Sequence, residues 1–467
     1  MNSFVFIVKR GTNMLNETTQ NAKNLPRRNP PGPSGYPIVG VAPRIGKDFP
    51  GFLLKMAVEY GGITLLELGP KRTYFVTQPE YLKQILVDNN RNYVKGYDAV
   101  KPLFGDGLLT SDGDTWFRQR RLMQPAFHHQ QLASFANTMI DFTAQMLDQW
   151  DIVKRNNQPI DVAAEMMGLT QKIILKTMFS ADANANMADI TLAFDIALNH
   201  FNNAMFSPLS QITWLPTAAN RRYHWALRTL DEVVYAMITD RRTTHRDESD
   251  LLTMLMNARD ADTGEGMSDK QIRDEMMTIF LAGHETTATT LSWAWHLLSQ
   301  HPEAADKLKA EVATVLDGRA PTVKDLPNLT YTRMIIEEAM RLYPPAWMFA
   351  RVSVNPDVIG GFDVPAGSLI MLSPYVTHHL PSIWNDPEKF DPGRFTPEQA
   401  GTRHKYAYLP FSGGPRICIG NSFAMMEAQL IMAMIVQKYQ FHTVPGREVT
   451  PLARATMRPF PGVWMTL

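Results

Sequence analysis

The chain has 467 residues, 45% hydrophobic and 20% charged, with 46 Lys and Arg balancing 46 Asp and Glu. That length can bury a large core, and the neutral balance lacks the basic excess that phosphate-backbone binding normally leaves, so no nucleic-acid partner is expected. Its single cysteine, Cys418, excludes an internal disulfide and any structural Cys₄ or Cys₂His₂ zinc site.

Residues 1–30 are polar and basic and read as a flexible lead; residues 31–467 read as one mostly helical body with a minor β region. The apolar run Phe4–Val8 is too short for a signal-peptide core and precedes its basic residues. No later stretch reaches the roughly 18 to 20 apolar residues of a spanning helix, so no transmembrane anchor is expected and the reading is cytoplasmic and monomeric. The Pro/Gly run from Pro30 to Pro37 forbids helix and central strand. The β-rich parts fall at about 60–80 and 350–375; Ile63–Leu68 and Thr73–Thr77 read as a hairpin around Gly69 to Arg72.

From Trp116 the pattern becomes helical. Leu132, Phe135, Met139, Phe142, Met146 and Trp150 recur at spacings of three and four, and helical runs follow at 162–198 and 222–242, interrupted by Pro208 and Pro216. The longest element begins at Ser268, where Ser268 and Gln271 match a capping box, and runs to His301, a helix of about 50 Å. Its centre reads Ala282-Gly283-His284-Glu285-Thr286-Thr287-Ala288-Thr289-Thr290. Clustered Thr lose rotamer freedom and bond back to the helix, and Gly costs about 1 kcal/mol relative to Ala. Concentrating such residues in an apolar centre marks either a site or a solvated bend. Pro302 ends the helix and Glu303 to Leu316 restarts it.

In the helical run Tyr331 to Arg341, Glu338 and Arg341 are i and i+3, a spacing that alone implies a surface ion pair worth a few tenths of a kcal/mol, roughly. Cys418 lies in Leu409-Pro410-Phe411-Ser412-Gly413-Gly414-Pro415-Arg416-Ile417-Cys418-Ile419-Gly420-Asn421, before an apolar helix running to Lys438. Glycines let that backbone turn sharply and approach a flat ligand, and the start of a helix lowers a thiol pKa. The residues alone allow three readings: an iron-bound thiolate, a nucleophile paired with His404 or His442, or an inert core thiol.

The loop resembles that of the cytochrome P450 superfamily, whose Phe-x-x-Gly-x-Arg-x-Cys-x-Gly is matched by Phe411, Gly414, Arg416, Cys418 and Gly420. The likeness extends from the Pro31-Gly32-Pro33 lead-in to Thr456-Met457-Arg458-Pro459, and is strongest to the soluble bacterial fatty-acid hydroxylase-like group. It implies a P450 fold, one large helical domain with small β-sheets and the haem between the long central helix and the cysteine loop. It implies Cys418 as the axial ligand of haem b, Phe411 against the sulfur, and Trp116, Arg120, Arg351 and Arg416 at the propionates, Trp116 and Arg120 matching the family's Trp-x-x-x-Arg. Ala282 and Gly283 would give close backbone approach over the distal face, with Glu285 and Thr286 as the acid and alcohol that deliver the two protons needed for O–O cleavage. Glu338 and Arg341 match Glu-x-x-Arg, with Arg394 as third member; Gly393 stands where the family usually has Glu.

The resemblance further implies O₂ as co-substrate and electrons from NAD(P)H through a separate ferredoxin or flavodoxin with its reductase, no flavin domain being fused. Arg118 and Arg121 offer a basic surface for such a partner. Candidate pocket positions are Tyr97, Val100, Leu103, Phe104, Phe201, Met205, Phe280, Ala282, Ala346, Ala350 and Ala455, mostly apolar, so the substrate is expected among fatty acids, terpenoids, steroids or polyketides. The reaction is read as hydroxylation or epoxidation (EC 1.14), with a peroxide-dependent enzyme or a non-catalytic haem sensor or carrier as alternatives.

Overall fold

The computed structural model describes residues 28–467 except 47, 69–70, 98–99, 181–186, 207–211 and 245–249, and omits in addition the side chains of 71, 129–130, 187–188 and 201–206. Most of the flexible lead read at 1–30 and the interruption at Pro208 thus lie outside the described residues.

The longer helices are α1 (Phe49–Tyr60), α2 (Gly113–Met123), α3 (His129–Arg155), α4 (Val162–Phe179), α5 (Met187–Phe206), α6 (Ala218–Thr244), α7 (Asp269–Gln300), α8 (Pro302–Leu316), α9 (Thr330–Leu342) and α10 (Asn421–Lys438). α7 is the axis of the fold. Ser268 accepts from Gln271 N while the Gln271 side chain accepts from Ser268 N, so the expected capping box starts the helix, and α4, α9 and α10 pack along it. Its Thr and Ser hydroxyls bond back to carbonyls one turn earlier, Thr286 Oγ1 to Ala282 O at 2.7 Å and Ser292 Oγ to Ala288 O at 2.6 Å. That internal satisfaction lets a hydroxyl-rich helix stay continuous inside the core, so the solvated bend does not occur.

The β part is small. Strands β1 (Ile63–Leu68), β2 (Lys71–Val76), β3 (Tyr93–Val94), β4 (Phe349–Ser353) and β5 (Leu369–Leu372) form one sheet in the order β1-β2-β5-β4-β3. β1 and β2 pair antiparallel with Leu68 opposite Lys71, so the second strand starts two residues earlier than its β-branched run suggests. Near the C-terminus β6 (Thr450–Ala453) and β7 (Met457–Phe460) form a hairpin. Trp293 Nε1 on α7 donates to Met457 O at 2.9 Å, and Met457 N donates to Pro345 O at 3.0 Å, which fixes the hairpin against the middle of the long helix.

Candidate active site

The cysteine loop is held from three sides. Cys418 N donates to Phe411 O at 3.0 Å and Ile417 N to Gly414 O at 3.1 Å, closing the loop on itself. Gly414 has φ of 69°, and a Cβ there would stand 1.9 Å from Leu86 O, so both its conformation and its contact with the backbone require glycine. Gly420 needs neither: its φ is −89° and its added Cβ would meet nothing nearer than the cysteine sulfur at 4.0 Å.

Behind the loop, Glu338 and Arg341 form no surface pair. Both are fully buried, with Arg341 Nε donating to Glu338 Oε2 at 2.7 Å and Nη2 to Oε1 at 2.9 Å. Asp391 N donates to Glu338 Oε1 at 2.9 Å, and Arg394 Nε stands 3.5 Å from the same oxygen, an ion pair without a hydrogen bond. Burial raises the Glu338 pKa despite these partners, because desolvation outweighs the two arginines. Arg341 Nη1 also donates to His378 O at 3.0 Å, and His378 Nε2 accepts from Leu409 N at 2.9 Å at the start of the cysteine loop. With its Nδ1 3.2 Å from Arg341 O, His378 must be neutral with the proton on Nδ1; burial holds its pKa well below the ordinary value. The motif residues announced the first two layers of this support, and nothing in the sequence distinguished His378.

The Cys418 sulfur is accessible to solvent, while the protein packed around it raises the thiol pKa by desolvation. An accessible sulfur within so dense a surround opens onto an internal cleft. The lowered thiol pKa expected from the start of α10 is therefore not what the ligand-free thiol has: the Gly420 backbone, Arg120 and Lys95 pull it down, and burial wins. Ala282, near the centre of a largely buried helix, is exposed too. Gly283 is also a helix-packing notch: a Cβ there would meet Ile174 Cδ1 of α4 at 2.4 Å.

One side of this region is cationic. Arg120 Nη1 donates to Ile417 O at 2.9 Å. The Arg416 guanidinium lies 4.3 Å above the Trp116 ring and pairs with Asp112 at 2.5 Å. Arg351 is buried, donates to its neighbour Ala350 O and bonds Tyr97. A fourth cation joins them that no motif marked: Lys95, whose Nζ donates to Leu109 O at 3.0 Å. Burial, then Arg351 and Arg416, push its pKa down to about 7. Four cations, with Asp112 paired to Arg416 and Glu275 near Lys95, beside a single thiol facing a cleft, form a donor set that fits a flat, dianionic macrocycle holding a metal that prefers sulfur.

Glu285 and Thr286 diverge. Thr286 is partly accessible, whereas Glu285 is buried, its Oε1 accepting from Thr456 Oγ1 at 2.5 Å and ion-paired with Arg458 Nη2 at 2.8 Å. The pocket positions divide as well. Ala282 and Ala346 are exposed, and Ala350 and Ala455 partly accessible. Leu103, Phe104, Val100 and Phe280 are core, Phe280 packed edge-on to Phe194 at 4.7 Å. Phe201 and Met205 fall on the end of α5, where side chains lie outside the described residues. Arg118 and Arg121 are not free cations: Arg121 pairs with Asp260 at 2.6 Å and Asp262 at 2.5 Å, and Arg118 stands 3.8 Å from Glu265. Acidic residues just before α7 consume that charge, so the expected basic docking surface is largely neutralised. No helix among the described residues is long and apolar enough to cross a membrane.

Comparison with known proteins agrees with this geometry. The family model described as cytochrome P450 matches residues 30–462. The chain is 39% identical over 424 residues to cyclooctatin synthase of Streptomyces melanosporofaciens, covering 90% of this chain and 91% of that protein. It is 36% identical over 432 residues to pentalenene oxygenase of Streptomyces avermitilis, covering 91% and 94%. The crystal structure of the cytochrome P450DA heme domain superposes with a TM-score of 0.85 at 27% identity, covering 94% of this chain and 97% of that one.

Proposed function

The chain belongs to the cytochrome P450 family, and from that premise we propose that Cys418 is the axial ligand of its haem iron and that the substrate is a terpenoid. The enzyme is a haem-thiolate monooxygenase, an oxidoreductase that incorporates oxygen from O₂ into a hydrophobic substrate and depends on redox partners. The observation that carries the ligand assignment is the accessible Cys418 sulfur deep within the protein beside the cation set.

Bound haem, in our reading haem b, supplies the oxidising chemistry: one O₂, two electrons and two protons are consumed, one oxygen atom enters the substrate and the other leaves as water. The protein's own share is placement and proton control. Lys95, Arg120, Arg351 and Arg416 would hold the two propionates, and Trp116 keeps the Arg416 guanidinium flat. Ala282 leaves room on the distal side. The Thr286 hydroxyl, which donates to Ala282 O at 2.7 Å, holds a proton at Oγ1 and can turn it toward the cleft, while Glu285 is the acid that resupplies it. We assign the electrons to NAD(P)H through a ferredoxin or flavodoxin and its reductase.

The reduced carbon-monoxide complex tests the ligand. A strongly red-shifted Soret band is expected and should vanish in Cys418→His; well-folded holoprotein without the band would refute the assignment. For the substrate, accessible positions Ala282, Ala346, Ala350 and Ala455 are small and apolar, which suits a bulky hydrocarbon frame. One relative's name is an oxygenase of pentalenene, a further reason to rank terpenoids ahead of fatty acids. A panel of cyclic terpenes and fatty acids, scored by the haem spin-state change, should respond to the terpenes; a response confined to fatty acids rejects this substrate class.

A further inference from the structure

Glu285 lies one residue before Thr286 yet is held by a different part of the chain. Thr456, in the turn between β6 and β7, donates to its Oε1 at 2.5 Å, and Arg458, on β7, forms an ion pair with the same oxygen at 2.8 Å. Arg458 Nε also donates to Thr456 Oγ1 at 3.3 Å, so the two donors brace each other. Glu285 Oε2 is buried with no hydrogen-bond partner among the described residues. The bond from Trp293 to Met457 O fixes the hairpin to the same helix two turns away, which leaves this clamp little freedom to slide.

A second carboxylate faces the same guanidinium. Asp195, on α5, is reached by water although enough protein surrounds it for burial to raise its pKa; Arg458 lowers it and Glu285 raises it. His284, a further titratable neighbour, is turned away, its Nδ1 2.6 Å from Phe280 O and its ring against Phe194. The α4 contact at this turn is a hydroxyl, Thr170 Oγ1 donating to His284 O, and α10 presents Glu427 to Thr287 one residue beyond the pair.

We propose that Arg458 is a positioning residue for proton delivery: with Thr456 it fixes Glu285 by one oxygen, leaves the other as the proton-carrying atom, and divides its charge between Glu285 and Asp195. This rests on Glu285 being the acid that resupplies Thr286. The proton that arrives on Oε2 is the one passed on, and the carboxylate left behind is stabilised by the cation. Without the cation the Glu285 carboxylate loses its counter-charge. Without Asp195 the guanidinium serves Glu285 alone.

The experiment compares Arg458→Met, Arg458→Lys, Asp195→Asn and Glu285→Gln holoenzymes. Coupling, product formed per NAD(P)H against hydrogen peroxide released, is measured across pH with a substrate that gives a spin-state change. In parallel, the protonated-carboxyl band of infrared difference spectra is assigned by its loss in Glu285→Gln. Arg458→Met should shift the Glu285 carboxyl band and displace the alkaline limb of the coupling profile by about one pH unit or more, as a carboxylate that loses a nearby cation does. Asp195→Asn should move both in the opposite sense, and Arg458→Lys should restore most of the wild-type profile. An unmoved band and coupling profile in Arg458→Met overturn the proposal, even where Glu285→Gln loses coupling; wild-type coupling in Glu285→Gln instead removes the underlying reading. Should Arg458→Met not fold, Thr456→Val removes the other donor and must shift the same two readouts in the same direction, or the proposal fails.

Discussion

Arg341 donates to Glu338 through two parallel bonds of 2.7 and 2.9 Å, with neither side chain reachable by water. Such a pair is costly to break from one side, because the remaining charge is stranded without solvent. Glu338→Ala should destabilise the fold by about 3–5 kcal/mol and release the Asp391 amide, measured by denaturant unfolding and by haem retention on gel filtration. Arg394→Ala removes a 3.5 Å contact without a hydrogen bond and should cost distinctly less.

Lys95 gives a pH dependence. Its folded pKa of about 7 lies below the ordinary lysine value of 10.5, so between those limits the unfolded chain binds more protons and apoprotein stability should rise with pH. Haem propionates favour the charged form, so loading haem above pH 7 must take up a proton. Haem affinity should then fall as pH rises from 7, by up to about tenfold per unit, which follows from one-proton linkage. Haem titrations of apoprotein at several pH values test this, and Lys95→Met should be weaker and flatter.

Glu427 sits on α10 behind the cysteine loop, buried, with neither oxygen within 3.5 Å of a well-aligned donor among the described residues, and burial raises its pKa to about 8 against a pull from Thr287. A raised carboxyl pKa adds stability that is complete below the unfolded value of 4.5 and lost as pH rises through 8. Glu427→Gln should therefore flatten the decline in melting temperature between pH 5 and 9, about 1.4 kcal/mol per pH unit at its steepest.

Two glycines should answer differently to one methyl group. At Gly414 the obstacle is a backbone oxygen and φ is positive, so Gly414→Ala should yield protein that does not retain haem. At Gly283 the obstacle is the flexible end of Ile174, so Gly283→Ala should cost about 1–3 kcal/mol from overpacking, with about 1 kcal/mol returned by helix propensity. Adding Ile174→Ala to the second variant should recover most of the loss in thermal unfolding.

Thr286→Val keeps the shape and removes the hydroxyl that donates to Ala282 O. Electron consumption should continue while peroxide rises at the expense of product, by roughly tenfold or more in coupling, the usual weight of a positioned proton donor. Product yield per NAD(P)H measures it.

Local patterns in the chain carried the elements well. The capping residues placed α7 within a residue at each end, and the apolar run after Gly420 placed α10 at Asn421–Lys438. The cysteine loop and the Glu338, Arg341 and Arg394 set were legible because each is a short, spaced motif. Lys95, Asp112, Asp195, His378 and Arg458 were not, because their importance comes from contacts between distant segments and their own surroundings in sequence are ordinary. The same reason hid other contacts. Arg118 and Arg121 look free until Asp260 and Asp262 are brought to them, and the packing role of Gly283 is invisible until Ile174 is brought to its empty side.

The bonds that close the cleft join segments that are made far apart in time. Arg120 to Ile417 spans 297 residues and Arg416 to Ser111 spans 305. On a ribosome adding about 5–20 residues per second, the cationic wall waits many seconds for its cysteine. Assembly of the pocket is thus reserved for the finished polypeptide: nascent chains stalled before the last 50 residues should lie beyond rescue by added haem, while release of full-length chain should permit it.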